Sequence, residues 1–253
     1  MQLKGKAALV TGGGTGIGRA ISLRFAAEGA DLVVNYSRRA KDAEEVVQTA
    51  RKFGVQAFAI QADVSSDMGA RRLLAEMIEK LGRIDILVNN AGWSTIVPHR
   101  DLEGLTDEIL EKTWAVNTKG PFYVSRAAIP QMLKQGGGRI INITSISAFQ
   151  GAGSSIVYGA SKAALTAITK SLARAFAKEN ILVNAVAPGF VDTGFAGWSA
   201  ESMESHARVS PMGRISNPED IASAVLFLAS DATGITAQTI LVDCGVTTLM
   251  PSV

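Results

Sequence analysis

Tyr158 and Lys162 stand four residues apart in Y-G-A-S-K, within a run whose pattern reads as helix, and Ser145 lies upstream beyond a glycine-containing loop. Residues at i and i+4 share one helix face, so the ammonium is expected beside the phenol, where its charge favours the ionised form. A free tyrosine titrates near 10. Bringing it about two to three units lower takes roughly 3 to 4 kcal/mol of differential stabilisation, which a close cation in a partly dry site can supply. Tyr158 is then a candidate general acid and base. The same spacing occurs in ordinary amphipathic helices, so the pair needs partners elsewhere in the chain before it signifies chemistry.

A second group of candidates follows the first strand-like run, where T-G-G-G-T-G-I-G places Gly12, Thr15, Gly16, Ile17 and Gly18 at a turn that opens an apolar helix. Glycines there let the backbone turn tightly and approach a pyrophosphate, which the free N–H groups and dipole of the helix N-terminus favour. The spacing is G-x-x-x-G-x-G, with Arg19 standing where the commoner G-x-G-x-x-G pattern needs its last glycine. In dinucleotide folds a carboxylate ending the second strand receives the ribose 2′-hydroxyl of NAD, whereas a basic residue accommodates the 2′-phosphate of NADP. Here the strand ends Asn35, Tyr36, Ser37, Arg38, with a hydroxyl and a guanidinium and no carboxylate. NADP(H) is therefore favoured over NAD(H), although a solvated basic turn opening the second helix has the same residues. Asp63, followed by Val64, suits either a hydrogen bond from adenine or the cap of a helix beginning near Ser66.

The elements that must position these groups are legible as alternation. Strand-like runs fall at Ala7 to Val10, Asp31 to Asn35, Val55 to Ala59, Ile84 to Val88, Arg139 to Ile143, Ile181 to Ala185 and Thr239 to Val242. Most are almost wholly apolar, as expected of a parallel sheet covered on both faces. Helical patterns lie between them, at Gly16 to Glu28, Lys41 to Phe53, Asp67 to Leu81, Thr106 to Leu133, Ser155 to Lys178 and Pro218 to Ala229. This order predicts one α/β domain over 1–253, with a doubly wound, seven-stranded parallel sheet and ligands beyond the carboxyl ends of its strands. Pro121 predicts a break in the long fourth helix near Lys119 and Gly120. The stretch 190–214, with Gly194, Gly197, Phe195, Trp198 and Met203, reads as a long connection serving as a lid.

Composition narrows the partners. Lys plus Arg number 25 against 23 Asp plus Glu, and this near balance without long charge blocks argues against nucleic acid. No charged-then-apolar leader and no bilayer-length apolar run is visible, so no membrane partner and a cytoplasmic location are expected. One cysteine, Cys244, permits no internal disulfide, and with only His99 and His206 beside it no metal site is expected. His99 reads as a surface residue and Cys244 as a small buried group.

Taken in order, T-G-G-G-T-G-I-G, D-V at 63 and 64, N-N-A-G at 89–92, Asn117, Ser145, Tyr158 with Lys162, and P-G-F-V-D-T at 188–193 span nearly the whole chain. The set resembles the short-chain dehydrogenase/reductase family, in its single-domain branch. The resemblance implies a Rossmann-type sheet, a nicotinamide dinucleotide, and a catalytic tetrad at Asn117, Ser145, Tyr158 and Lys162. It further implies that Asn89, Asn90, Ala91 and Gly92 shape the cofactor side of the pocket, and that Pro188, Gly189, Val191 and Thr193 hold the nicotinamide carboxamide. By the same resemblance Ser145 polarises a carbonyl oxygen, Tyr158 delivers the proton, Lys162 lowers the Tyr158 pKa and grips the nicotinamide ribose, and Asn117 supports a water path. A homotetramer is implied as well, with the long fourth and fifth helices and the C-terminal segment at its contacts.

Read on local residues alone, Ser145 also suits a cap or turn after the fifth strand, and Asn117 a backbone bond in the fourth helix. The expected activity is reduction of a ketone or 3-oxoacyl carbonyl to a secondary alcohol. An NAD-linked alcohol or sugar dehydrogenase is the near alternative, and a redox-silent dinucleotide-binding protein the distant one. Trp93, Ile146, Phe149, Val191, Phe195, Trp198 and Met203 are expected either to line an apolar substrate pocket or to be simple core.

Overall fold

The computed structural model describes residues 1–193, 195, 199–230 and 234–247. Seven strands form one sheet in the order β3-β2-β1-β4-β5-β6-β7: β1 Ala7–Val10, β2 Asp31–Tyr36, β3 Ala57–Gln61, β4 Ile86–Asn89, β5 Gly138–Ile143, β6 Ile181–Pro188 and β7 Thr239–Val242. Every pairing is parallel. The helices are α1 Gly16–Ala27, α2 Ala40–Arg51, α3 Asp67–Leu81, α4 Asp107–Trp114, α5 Gly120–Gln135, α6 Ser147–Gln150, α7 Ile156–Phe176, α8 Ala200–Val209 and α9 Pro218–Ala229.

Successive strand residues point to opposite faces, which divides the apolar runs between two cores. Ala8, Val10, Leu32, Val34, Ile86, Val88, Ile141 and Val186 pack against α1, α2 and α9. Leu9, Val33, Leu87, Ile140 and Val183 pack against α3, α5 and the C-terminal part of α7. Each large side chain wholly withdrawn from water contributes about 1.5–3 kcal/mol, so burial on both faces is what rewards a continuous apolar strand.

The amino edge of the sheet is laced by polar groups. The Asp85 carboxylate accepts Ala7 N–H at 2.8 Å and both arms of Arg83 at 2.7 Å. Gln135 brackets Ile84, accepting from its N–H at 3.1 Å and donating to its carbonyl at 3.0 Å. The Asn180 carbonyl receives Gly138 N–H and the Arg139 guanidinium. These ties fix where β1, β4, β5 and β6 begin.

Two departures from the sequence expectations, in β3 and in the stretch 190–214, have local causes, and the break expected near Lys119 and Gly120 takes a definite form. The third strand lies two residues later than Val55 to Ala59, because its register is set by pairing with β2 from Leu32↔Ala57 to Tyr36↔Gln61. The long fourth helix is two helices joined by a π-turn at Ala115–Lys119, where Gly120 N–H reaches back five residues to Ala115. Pro121 offers no N–H, so the ladder changes register before it. The stretch 190–214 carries a helix, α8, capped by Ser199 on Ser202 N–H. Val191 bridges to Ser216, and Ser216 N–H donates to Phe190, so the two ends of the stretch meet. Gly194, Gly197 and Trp198 of that stretch lie outside the described residues.

Candidate active site

A cavity of about 900 Å³ opens over the carboxyl ends of β1 to β6. Gly12, Thr15, Gly16, Ile17, Asn35, Ser37, Arg38, Asp63 and Val64 line one half, and Asn90, Ala91, Gly92, Ser145, Tyr158, Lys162, Pro188, Gly189, Val191 and Thr193 the other. Two expected site residues, Gly18 and Asn117, lie behind the lining.

Gly18 packs on the turn itself. A Cβ there would overlap the Gly12 carbonyl and the Asn90 amide, so only glycine lets α1 begin this close to the loop. Thr11 and Asn90 hold that loop from beneath. The Thr11 hydroxyl accepts Asn90 and Ala91 N–H at 3.0 Å, and the Asn90 amide donates to the Thr11 and Gly12 carbonyls at 2.9 and 3.2 Å. Asn35 braces the other side, donating to the Ile60 and Ala62 carbonyls and accepting Gly12 N–H. The result is a strand, a glycine turn and a helix N-terminus facing open space, which fits a pyrophosphate.

At the adenosine end expected for such a ligand, Arg38 is exposed and lines the cavity beside Ser37. Arg39, which the sequence reading did not place in the site, lines it too and lies 3.9 Å from Asp42. Asp63 does not cap α3: Ser66 does, accepting Gly69 N–H at 3.1 Å. Asp63 instead accepts both the N–H and the hydroxyl of Ser65 through Oδ1, at 2.9 and 2.7 Å. Its remaining oxygen is available to a ligand in the cavity.

At the other end, α7 begins with Ser155 accepting Tyr158 N–H at 3.3 Å, which fixes the helix turn that carries Tyr158 and Lys162. Ser145 is buried, accepts Ser147 N–H at 3.1 Å, donates to Ser147 Oγ at 3.2 Å, and stands near enough to the Tyr158 phenol to pull its pKa downward. The same hydroxyl thus turns the chain and lines the cavity beside the phenol. The Lys162 ammonium, 3% exposed, donates to the Ile143 carbonyl at 2.9 Å and lies 5.8 Å from the Tyr158 ring centre.

The electrostatics differ from the expectation that Lys162 depresses Tyr158. The ring keeps some exposure, yet desolvation of its hydroxyl pushes the phenol up to about 12, against a smaller downward pull from the Ser145 hydrogen bond. Burial likewise pushes Lys162 down to about 8. Burial therefore sets the direction of the Tyr158 shift, and Lys162, its ammonium turned to the Ile143 carbonyl, does not offset it. Tyr158 therefore holds its proton through neutral pH.

Asn117 sits fully buried in the π-turn. Its Oδ1 accepts Trp93 N–H at 2.8 Å, and its amide donates to the Trp93 carbonyl at 2.9 Å and to Ser161 Oγ at 3.1 Å. It clamps the loop after β4 to the Tyr158 helix. Asn89, the first residue of N-N-A-G, works below the cavity, donating to Asn142, Ser125 and the Pro121 carbonyl.

Of the expected substrate-side residues, Trp93, Ile146, Val191, Phe195 and Met203 line the cavity, while Phe149 is 48% exposed and points elsewhere. The Phe195 ring stands 6.4 Å from that of Tyr158. Lys112, Ser94, Ser147 and Ser154 also line this end, and the sequence reading missed all four. The pocket is consequently more polar than predicted. Among the described residues no His, Cys, Asp or Glu group forms a metal cluster, and no helix is long and apolar enough to cross a membrane.

Comparison with known proteins agrees with this geometry. A family model described as enoyl-(acyl carrier protein) reductase matches residues 12–247. An uncharacterised oxidoreductase of Thermotoga maritima is 40% identical over 98% of the chain and 99% of its own length. A 3-oxoacyl-(acyl-carrier-protein) reductase of Staphylococcus aureus is 40% identical over 95% and 97%. Among solved structures, a dehydrogenase/reductase from Sinorhizobium meliloti superimposes with a TM-score of 0.90 at 37% identity, covering 97% of this chain and 96% of that one. A 7α-hydroxysteroid dehydrogenase complexed with NADH and 7-oxo glycochenodeoxycholic acid does so with a TM-score of 0.89 at 34%, covering 96% and 95%. The chain belongs to the short-chain dehydrogenase/reductase family, a family of oxidoreductases that use a nicotinamide dinucleotide.

Proposed function

We propose that this chain reduces a ketone or 3-oxoacyl carbonyl to a secondary alcohol, with Tyr158 as proton donor. The observation that carries the reading is the convergence of Ser145, Tyr158 and Lys162 in one cavity with the glycine turn. The nicotinamide, when bound, supplies the hydride to the carbonyl carbon. The chain's own work is on the oxygen, where negative charge develops. The Ser145 hydroxyl turns from Ser147 Oγ to donate to it, and the Tyr158 phenol, whose burial favours the neutral form, gives the proton. Lys162 is assigned to the nicotinamide ribose and Asn117 to holding the Trp93 loop against α7. Pro188, Gly189, Val191 and Thr193 are assigned to the carboxamide.

Tyr158→Phe is expected to lower turnover at least about a thousandfold, within the range typical of a lost acid combined with a lost oxyanion donor. Dinucleotide affinity, read by fluorescence titration, stays within a few-fold. Near-normal turnover in that variant refutes the proton donor.

NADP(H) is the proposed cofactor, supported by Ser37, Arg38 and Arg39 lining the end where a carboxylate would select NAD. Family membership supports a homotetramer, a cytoplasmic location and a single catalytic domain over 1–253 with its lid at 190–214.

A further inference from the structure

The wall beside Tyr158 carries more hydroxyls than proton transfer uses. Ser147 Oγ accepts Ser145 at 3.2 Å, and its own proton has no acceptor among the described residues. The Gly153 backbone presses on this hydroxyl so closely that a Cβ there would overlap it. The next residue, Ser154, is 5% exposed and shares a short hydrogen bond with Ser94. One of those two hydroxyls donates, so the other keeps an uncommitted proton. Tyr158, Ser145, Ser147, Ser154 and Ser94 all line the same cavity, with Trp93, Ile146, Phe195 and Met203 completing its apolar part.

A saturated chain closing on this wall strips water from the serines and returns no partner, which is unfavourable for each buried donor. A ligand hydroxyl satisfies them, and sites built to bond a hydroxyl reject analogues that lack it far better than apolar pockets reject extra groups. We propose that Ser147, Ser154 and Ser94 form a polar subsite for a hydroxyl on a carbon one or two positions from the reacting carbonyl. The substrate class is then a short hydroxy ketone, rather than a long acyl chain, and its product a diol. The aromatic and aliphatic remainder of the cavity faces the C–H surface of such a molecule. This inference rests on the carbonyl-reduction reading and narrows it.

The test follows loss of NADPH absorbance with the full chain, comparing 1-hydroxybutan-2-one and 4-hydroxybutan-2-one with butan-2-one. At least one hydroxy compound is expected to exceed butan-2-one in kcat/KM by about tenfold or more. Ser147→Ala and Ser154→Ala each bring that ratio to within about threefold. The ratio, not the rate, is the readout, since Ser147 also touches Ser145. Equal kcat/KM for all three ketones, or a ratio undiminished in both variants, overturns the subsite. Should no ketone be reduced, thermal shifts of the NADPH-loaded chain separate the two ideas. A larger rise with a hydroxy ketone, lost in Ser147→Ala, upholds the subsite while removing carbonyl reduction; equal rises remove the subsite itself.

Discussion

Lys162 shows what a single buried charge does to this protein. Its folded pKa, about 8, lies below the ordinary 10.5, so between those values the unfolded chain binds more protons than the folded one. Stability therefore rises with pH across that window, and at pH 7 the buried ammonium costs about 3 kcal/mol by the shift alone. Tyr158 has the opposite sign: its folded value of about 12 exceeds the ordinary 10, so its contribution is complete below pH 10 and lost above it. Lys162→Met removes the charge but leaves the Ile143 carbonyl without its donor, a loss of about 1–2 kcal/mol. The variant is expected to be more stable than the parent by about 1–2 kcal/mol at pH 7, the difference of those two effects. It loses that advantage by pH 10, as urea titrations at the two pH values will read. Equal destabilisation at both would mean that the ammonium is not strained by burial.

At the scale of elements, the glycine turn and α1 act as one piece. Gly18→Ala forces α1 away from the Gly12 carbonyl and the Asn90 amide, an overpacking of about 1–3 kcal/mol that lowers the thermal midpoint by several degrees. Dinucleotide affinity falls with it, at least about tenfold, because the helix N-terminus no longer aims at the pyrophosphate. An unchanged midpoint and affinity would show that the loop yields without resisting. This element was readable beforehand because three signals coincided at one place: an apolar strand, glycines at fixed spacing, and a helix pattern behind them. Strand number, the break before Pro121 and α3 and α9 were readable for the same reason, each marked by pattern and breaker together. The limits of β3 were not, since its register is chosen by β2 across the ladder and not by Val55. Nor was α8, whose run from Ala200 to Val209 buries no residue and follows closely on a stretch of glycines and serines that reads as loop. Ser147, Ser154 and Lys112 were invisible because a serine or lysine carries no period, and only the folded chain brings them to one cavity.

On the scale of the whole molecule, the sheet separates choosing a cofactor from using it. The turns after β1, β2 and β3 bring Gly12, Arg38 and Asp63 to one side of the cavity, while those after β4, β5 and β6 bring Asn90, Ser145 and Pro188 to the other. Arg38 is exposed and far in sequence and strand order from Tyr158. Arg38→Ala is accordingly expected to raise the KM for NADPH about tenfold, the size of a charge-assisted phosphate contact, while kcat at saturating NADPH and the KM for NADH change less than about twofold. Equal effects on both dinucleotides, read by steady-state kinetics, remove the argument for NADP.

The polar lacing at the opposite edge, through Asp85, Arg83, Gln135 and Asn180, bears on how such a chain can be re-engineered. Strand order and register are pinned by residues that no ligand reaches. Randomised libraries confined to the loops around Trp93, Ile146 and Gly153, or whole-loop grafts from relatives, draw on that reserve and leave the frame intact.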